Sequence, residues 1–262
     1  MPATCTMTFL GVGNSHARGL GCSACVFERD GEPLLLIDCG EDTLDAYQSA
    51  YQARLPDAVF ITHTHLDHIG GLERLFYKAF GNTPPRAGVK LFVPVCLVEV
   101  LQRRLADYPS ILAEGGANFW DCFHLIPVSE QFWYRGLSYS VFPVRHHGYR
   151  SAYGIALPGA FLFTGDTLPI PEVINHFACR RETIFHDCCL SRNPSHTSVD
   201  VLDQHYQPEQ LRRMVFYHYE SEAAAMAIER RGYRVVRRDE RVPLSGISID
   251  LANARGPGQT AS

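Results

Sequence analysis

The sequence predicts one α/β domain, a four-layer αββα sandwich in which two β-sheets pack face to face between outer helices. Two observations predict it. A strand-rich first half passes, without linker or low-complexity break, into a second half that alternates helix and strand. The 262 residues, 46% hydrophobic and 20% charged, suffice to bury a core of that size without covalent staples.

Taken in order, residues 6–12 form an apolar segment that runs into the glycine turn Gly11-Val12-Gly13. Strands are expected over residues 23–28 and 34–38, separated by the turn signal Arg29-Asp30-Gly31-Glu32-Pro33. Residues 43–53 read as a helix with Thr43 as its cap, and 57–61 as a short apolar strand. Leucine and aromatic residues at helical spacing follow over 72–80. A strand at 89–95 and a helix at 96–106 repeat the pattern. An irregular stretch about Gly115-Gly116 then leads to several strands between 123 and 163. Beyond Thr164-Gly165-Asp166 the chain alternates: strand 182–186, helix 200–206, strand 214–217, helix 221–231. The expected domain spans 1–252, with a frayed Gly/Pro/Ala/Ser-rich tail at 253–262.

Charge and cysteine usage narrow the classes. A formal net charge of -4 supplies no overall field for nucleic acid or anionic lipid, and arginine pairs such as Arg103-Arg104 read as solvated faces. The nine cysteines are odd in number and scattered, unlike a secreted disulfide framework. With no signal-peptide pattern and no apolar run of about 20 residues, the expected location is cytoplasmic, away from membranes.

The chemistry concentrates in His63-Thr64-His65-Leu66-Asp67-His68. Neutral imidazole and carboxylate oxygen both suit a borderline-soft cation such as zinc. On an extended segment leaving a strand, His63 and His65 point to one side. Asp67 and His68 follow where the chain turns into a helix, so neighbouring residues there can face a second cation. Four ligand types in six residues at a strand end make an ordinary polar loop a poor reading.

This HxHxDH pattern resembles the metallo-β-lactamase superfamily, and the resemblance runs in matching order over residues 8–235. It implies two divalent metal ions, zinc first, with manganese or iron accepted by the same donors. Ile37-Asp38-Cys39-Gly40 resembles the end of an opening strand, with Asp38 buried behind the ligands to hold them. The family's third histidine falls on His146-His147; the spacing of His147-Gly148 to Ser151 favours His147, and His146 is the alternative. Asp166 resembles the bridging aspartate and His218 the last ligand. One metal would be held by His63, His65 and His147, the other by Asp67, His68 and His218, with Asp166 shared.

The segments Phe185-His186-Asp187, Ser195-His196-Thr197 and Tyr217-His218-Tyr219 resemble the last motifs of the ribonuclease Z and small-phosphodiesterase branch. That resemblance makes His196 the proton donor or phosphate contact, Asp187 the carboxylate that orients it, and Asp67 an acceptor for the nucleophile's proton. The branch's long basic arm is absent, since only 147–166 separates the third histidine from the bridging aspartate. A small or cyclic phosphodiester, or an RNA end, is therefore the expected substrate, and a large RNA is disfavoured. The resemblance also implies a homodimer. Two readings stay open beside it: hydrolysis of a carbonyl substrate such as a lactone or thioester, and a non-catalytic metal-binding accessory protein. Cys22-Ser23-Ala24-Cys25 is a lone CxxC, read as core before structural zinc.

Overall fold

A computed structural model describes residues 4–80, 88–106, 118–178 and 181–244; the expected tail and the Gly115-Gly116 stretch lie outside the described residues. The apolar segments pair into two sheets. The first contains β1 (Cys5–Gly11), β2 (Ala24–Arg29), β3 (Glu32–Ile37), β4 (Ala58–Phe60), β5 (Val89–Pro94), β6 (Phe123–Val128) and β13 (Arg241–Pro243), in the order 13-1-2-3-4-5-6. The second contains β7 (Gln131–Tyr134), β8 (Leu137–Pro143), β9 (Tyr153–Leu157), β10 (Phe161–Phe163), β11 (Thr183–Asp187) and β12 (Met214–Tyr217), in the order 12-11-10-9-8-7.

Connection length decides strand direction. Tight turns join β2 to β3 and β7 to β8, and the longer loop of residues 12–23 joins β1 to β2, all as antiparallel neighbours. The pairs β3/β4, β4/β5, β5/β6, β10/β11 and β11/β12 are parallel and need crossovers long enough to cover a sheet face. These crossovers carry α1 (Thr43–Ala50), α2 (Leu66–Ile69), α3 (Leu72–Phe80), α4 (Val95–Leu101), α5 (Phe119–Cys122), α6 (Pro171–Phe177), α7 (Leu202–His205) and α8 (Pro208–Leu211). The last helix, α9 (Glu222–Arg230), is capped by the Ser221 hydroxyl, which accepts from Ala224 N. The single helix expected over 96–106 is instead α4 followed by a π-helical turn at Gln102–Ala106.

The core lies between the sheets. Phe9 meets Phe185 with ring centroids 5.2 Å apart, Phe27 meets Phe161 at 5.3 Å, and Phe92 meets Phe132 at 4.3 Å. Each ring buried this way contributes about 1.5–3 kcal/mol. Central β2 is covered on both faces, whereas edge strand β7 alternates exposed and buried positions. Cys25 is wholly buried within this core and Cys22 only partly. Among the described residues no helix is long and apolar enough to cross a membrane.

Candidate metal centre

The ends of six strands converge on one rim of the sandwich, and their last residues bring the polar groups. β3 delivers Asp38, β4 the segment Thr62–His68, and β8 the segment at His146. β10 leads to Asp166, β11 ends at Asp187, and β12 leads to His218. The two sheets are tied together here: Tyr153 N donates to Thr62 O at 2.9 Å, and His218 N donates to Val12 O at 2.8 Å. Two of these residues pay a conformational cost, since Asp38 and His218 adopt φ of 63° and 68°. Gly40 admits the loop to the rim, because a Cβ there would lie 2.1 Å from Asp67 O.

His65 is extended and acts as the cap of α2, so His63 and His65 share one side while Asp67 and His68 sit within the helical turn. His63 Nε2 lies 3.0 Å from His65 Nδ1, which lies 3.2 Å from His146 Nε2. Asp166 Oδ2 stands 3.6 Å from His63 Nε2 and 3.8 Å from His146 Nε2. On its other side the same oxygen is 3.3 Å from His68 Nε2 and 3.2 Å from His218 Nε2. Asp67 Oδ2 completes that second group, 3.5 Å from His68 Nε2 and 3.9 Å from His218 Nε2. Donors around a tetrahedral zinc stand about 3.3–3.4 Å apart, so both groups have the spacing of a ligand set.

The third histidine of the first group is His146. His147, which the spacing favoured, is exposed and stands outside it, with its ring 4.9 Å from His65 and 4.0 Å from His146. The extended course of β8 explains the correction. Pro143 and Arg145 face outward while Val144 and His146 face inward, and Val144 N is still bonded to Ala152 O at 3.0 Å. His147 falls on the outward phase.

The residues behind the ligands select the atom each ligand presents. Asp38 accepts from Thr62 N (2.8 Å), Thr62 Oγ1 (2.7 Å) and His68 Nδ1 (2.8 Å). With its proton given to Asp38, Thr62 Oγ1 is free to accept from His63 Nδ1 at 3.1 Å. His146 Nδ1 donates to Ser195 O at 3.0 Å. Each of these histidines therefore turns an unprotonated Nε2 toward the group, the tautomer a metal requires. Thr62 and the Ser195 carbonyl had no signal in the sequence beyond their neighbours.

Buried polar atoms test whether a metal fits. His68 Nε2, His218 Nε2 and Asp166 Oδ1 are buried without a hydrogen-bond partner among the described residues, an arrangement that is costly unless a cation takes it up. Burial pushes His63 and His65 below their usual range and His146 to about 4. Burial also opposes charge on His68 and His218. There, however, Asp166 prevails, helped by Asp38 at His68 and by Asp187 at His218, and it holds His218 up at about 10. Negative charge that draws protons onto two buried imidazoles can equally be neutralised by divalent cations. The donor groups could hold metal, and none of the ligand groups found among the described residues includes a cysteine.

Beside the second group, His196 Nδ1 lies 2.8 Å from Asp187 Oδ2, which also accepts from Thr167 N at 2.9 Å. The other oxygen, Oδ1, lies 3.3 Å from His218 Nδ1, an ion contact without hydrogen-bond alignment. The His196 ring stacks on His218 at 4.9 Å and meets His146 edge-on at 4.7 Å.

Comparison with known proteins fits this geometry. The family model for anti-Pycsar protein Apyc1 matches residues 5–242. The chain belongs to that family. It is 30% identical to an anti-Pycsar protein Apyc1 of Paenibacillus harenae over 203 residues, 74% of this chain and 81% of that protein. Among solved structures, the metallo-beta-lactamase fold protein YhfI from Bacillus subtilis superposes with a TM-score of 0.73 at 13% identity. That match covers 92% of this chain and 99% of the other. The short form of human tRNase Z superposes with a TM-score of 0.60 at 18% identity, covering 90% and 98%. The metallo-β-lactamase fold is thus shared with ribonuclease Z-type proteins.

Proposed function

We propose that this chain is a dinuclear metal-dependent phosphodiesterase acting on a small or cyclic phosphodiester. The observation that carries the reading is the Asp187–His196 pair, 2.8 Å apart, with the His196 ring stacked on His218 and edge-on to His146. An alkoxide is a poor leaving group and needs a proton, whereas the thiolate of a thioester departs readily and makes less demand on such a pair. Burial disfavours a charged His196, but the charge and hydrogen bond of Asp187 outweigh it and raise its pKa. The imidazolium is therefore available near neutral pH.

Bound through His63, His65, His146, Asp166, Asp67, His68 and His218, two divalent cations would supply Lewis acidity and lower the pKa of a shared water. Asp67 stands at the edge of the group, 13% exposed, where it can orient the attacking water and accept its proton. Asp187 holds His196 in one orientation. As the new P–O bond forms and the opposite P–O bond breaks, His196 gives its proton to the departing oxygen. Between His146 and Asp166 the chain holds only β9, β10 and their turns, too little to grip a long RNA. This supports a small substrate.

The test is hydrolysis of bis(p-nitrophenyl) phosphate by zinc- or manganese-loaded protein, with metal content measured in parallel. Turnover that vanishes in Asp166→Ala supports the reading. Two metals bound without turnover of any phosphodiester would overturn it. His196→Ala should retain both metals and lose about 10²–10⁴-fold in rate on an alkyl phosphodiester; loss of metal would show that His196 is itself a ligand.

A further inference from the structure

The ligand histidines differ in what stands behind them. His63 has Thr62 Oγ1, His68 has Asp38, His146 has the Ser195 carbonyl and His218 has Asp187. Among the described residues His65 has no such group: its Nδ1 faces His63 Nε2 and His146 Nε2. With no oxygen to hold its ring, His65 takes its place in the group from the main chain that carries it. That main chain is held from outside the loop. The Thr64 carbonyl, between the alternating His63 and His65, is reached by no backbone N–H among the described residues. Arg104 Nη1 donates to it at 2.8 Å. Thr64 is buried and Arg104 exposed, so the arginine reaches in from the surface to a carbonyl that otherwise lacks a partner. Turning the Thr64–His65 peptide would swing His65 out of the group and strip that carbonyl of its bond.

The element that carries Arg104 is unusual. β5 lies beside β4 in the first sheet, and Ile61 N donates to Phe92 O at 3.1 Å, so α4 starts next to the loop that β4 feeds. The π-helical turn Gln102–Ala106 follows α4. Trp120 of α5 anchors it, its Nε1 donating to Gln102 Oε1 at 2.5 Å. Leu101 and Leu105 stay buried here while Arg104 reaches the metal loop. Turns of this kind are rare and concentrate at functional sites. The placement also has an electrostatic cost. Arg104 lines a cavity together with His63, His65 and His146, where a fixed positive charge repels a bound cation.

We infer that Arg104 is a positioning residue of the metal centre. Through the Thr64 carbonyl it fixes the peptide that aims His65, and so does from the main chain what Thr62, Asp38 and the Ser195 carbonyl do for other ligand histidines. The inference rests on the metal-dependent reading of the site and not on which bond the site cleaves.

The sign of one effect decides. Charge alone predicts that removing Arg104 tightens metal binding, because a repulsion is lost; a positioning role predicts weaker binding at the position of His63, His65 and His146. Zinc is titrated into metal-free whole protein against a chromophoric chelator, and that position is identified as the one lost in His146→Ala. Arg104→Met keeps the stem and removes the donors. It should weaken this position about 10-fold, the lower end of the range for groups behind a ligand, and leave the other position unchanged. Arg104→Lys, which keeps a charged donor, should recover most of the affinity. Trp120→Phe removes the anchor of the π-helical turn and no charge, and should weaken the same position. Unchanged or tighter binding in Arg104→Met would overturn the inference, as would equal weakening of both positions. If the wild type binds no zinc, the metal-dependent reading fails and hydrogen exchange judges the arginine's role. The amides of residues 63–66 should then exchange faster in Arg104→Met than in the wild type, and equal rates overturn the inference.

Discussion

Asp38→Asn should cost the second metal position while leaving the fold in place. The left-handed backbone at residue 38, φ 63°, suits asparagine as well as aspartate, so the exchange does not strain the chain. The wild-type carboxylate accepts from Thr62 N on one oxygen, and from Thr62 Oγ1 and His68 Nδ1 on the other. Asparagine has one acceptor oxygen. If it stays opposite Thr62 N, the amide NH₂ faces His68, whose Nδ1 must then accept. The imidazole proton moves to Nε2, the atom turned toward Asp166. If the amide flips instead, a buried N–H of Thr62 is left unpaired, at about 1–3 kcal/mol. Either way the cost corresponds to a roughly 10- to 100-fold loss of metal affinity, the usual range for groups behind a ligand histidine. Competition with a chromophoric chelator measures it directly, with elemental analysis after dialysis as the stoichiometric check and far-UV circular dichroism as the fold control. Two metals held with wild-type affinity would refute the assigned tautomer of His68 and the role given to Asp38.

Other outcomes follow from the same geometry. Asp187→Asn removes the charge that raises the His196 pKa, so in metal-saturated protein the alkaline limb of the kcat profile should move to lower pH; an unmoved limb would separate His196 from the proton transfer. Gly40→Ala places a Cβ 2.1 Å from Asp67 O, and should weaken the second metal more than the first when the two are resolved by stepwise titration. Phe27→Ala empties a wholly buried site between the sheets and should destabilise the chain by about 3–5 kcal/mol in denaturant unfolding, without changing the metal stoichiometry of the folded protein.

Much of the fold was legible because its periodicities are local. Residues 24–29, 72–80 and 214–217 form strand, helix and strand close to where hydrophobic pattern put them, since burial on one or both faces is written into successive residues. The π-helical turn at Gln102–Ala106 was not, because no periodicity distinguishes it from continued helix. Helix α6 also escaped, its Pro171 being equally a turn signal and a first helical residue.

The candidate site divides along the same line. His63, His65, Asp67 and His68 lie within six residues, so their spacing alone marked a candidate ligand loop. Asp38, Asp166, Asp187, His196 and His218 could be named only through a family resemblance, because nothing local says that the ends of β3, β10, β11 and β12 meet. The choice between His146 and His147 needed the structure: adjacent residues on an extended chain point oppositely, and which one points inward depends on the register of β8 against its neighbours. Arg104, read as half of a solvated pair, was likewise reassigned by tertiary contact, through its bond to the Thr64 carbonyl forty residues away. Sequence determined the residue types and their order; three-dimensional packing decided which nitrogen each histidine presents, since that depends on the groups behind it rather than on its neighbours in the chain.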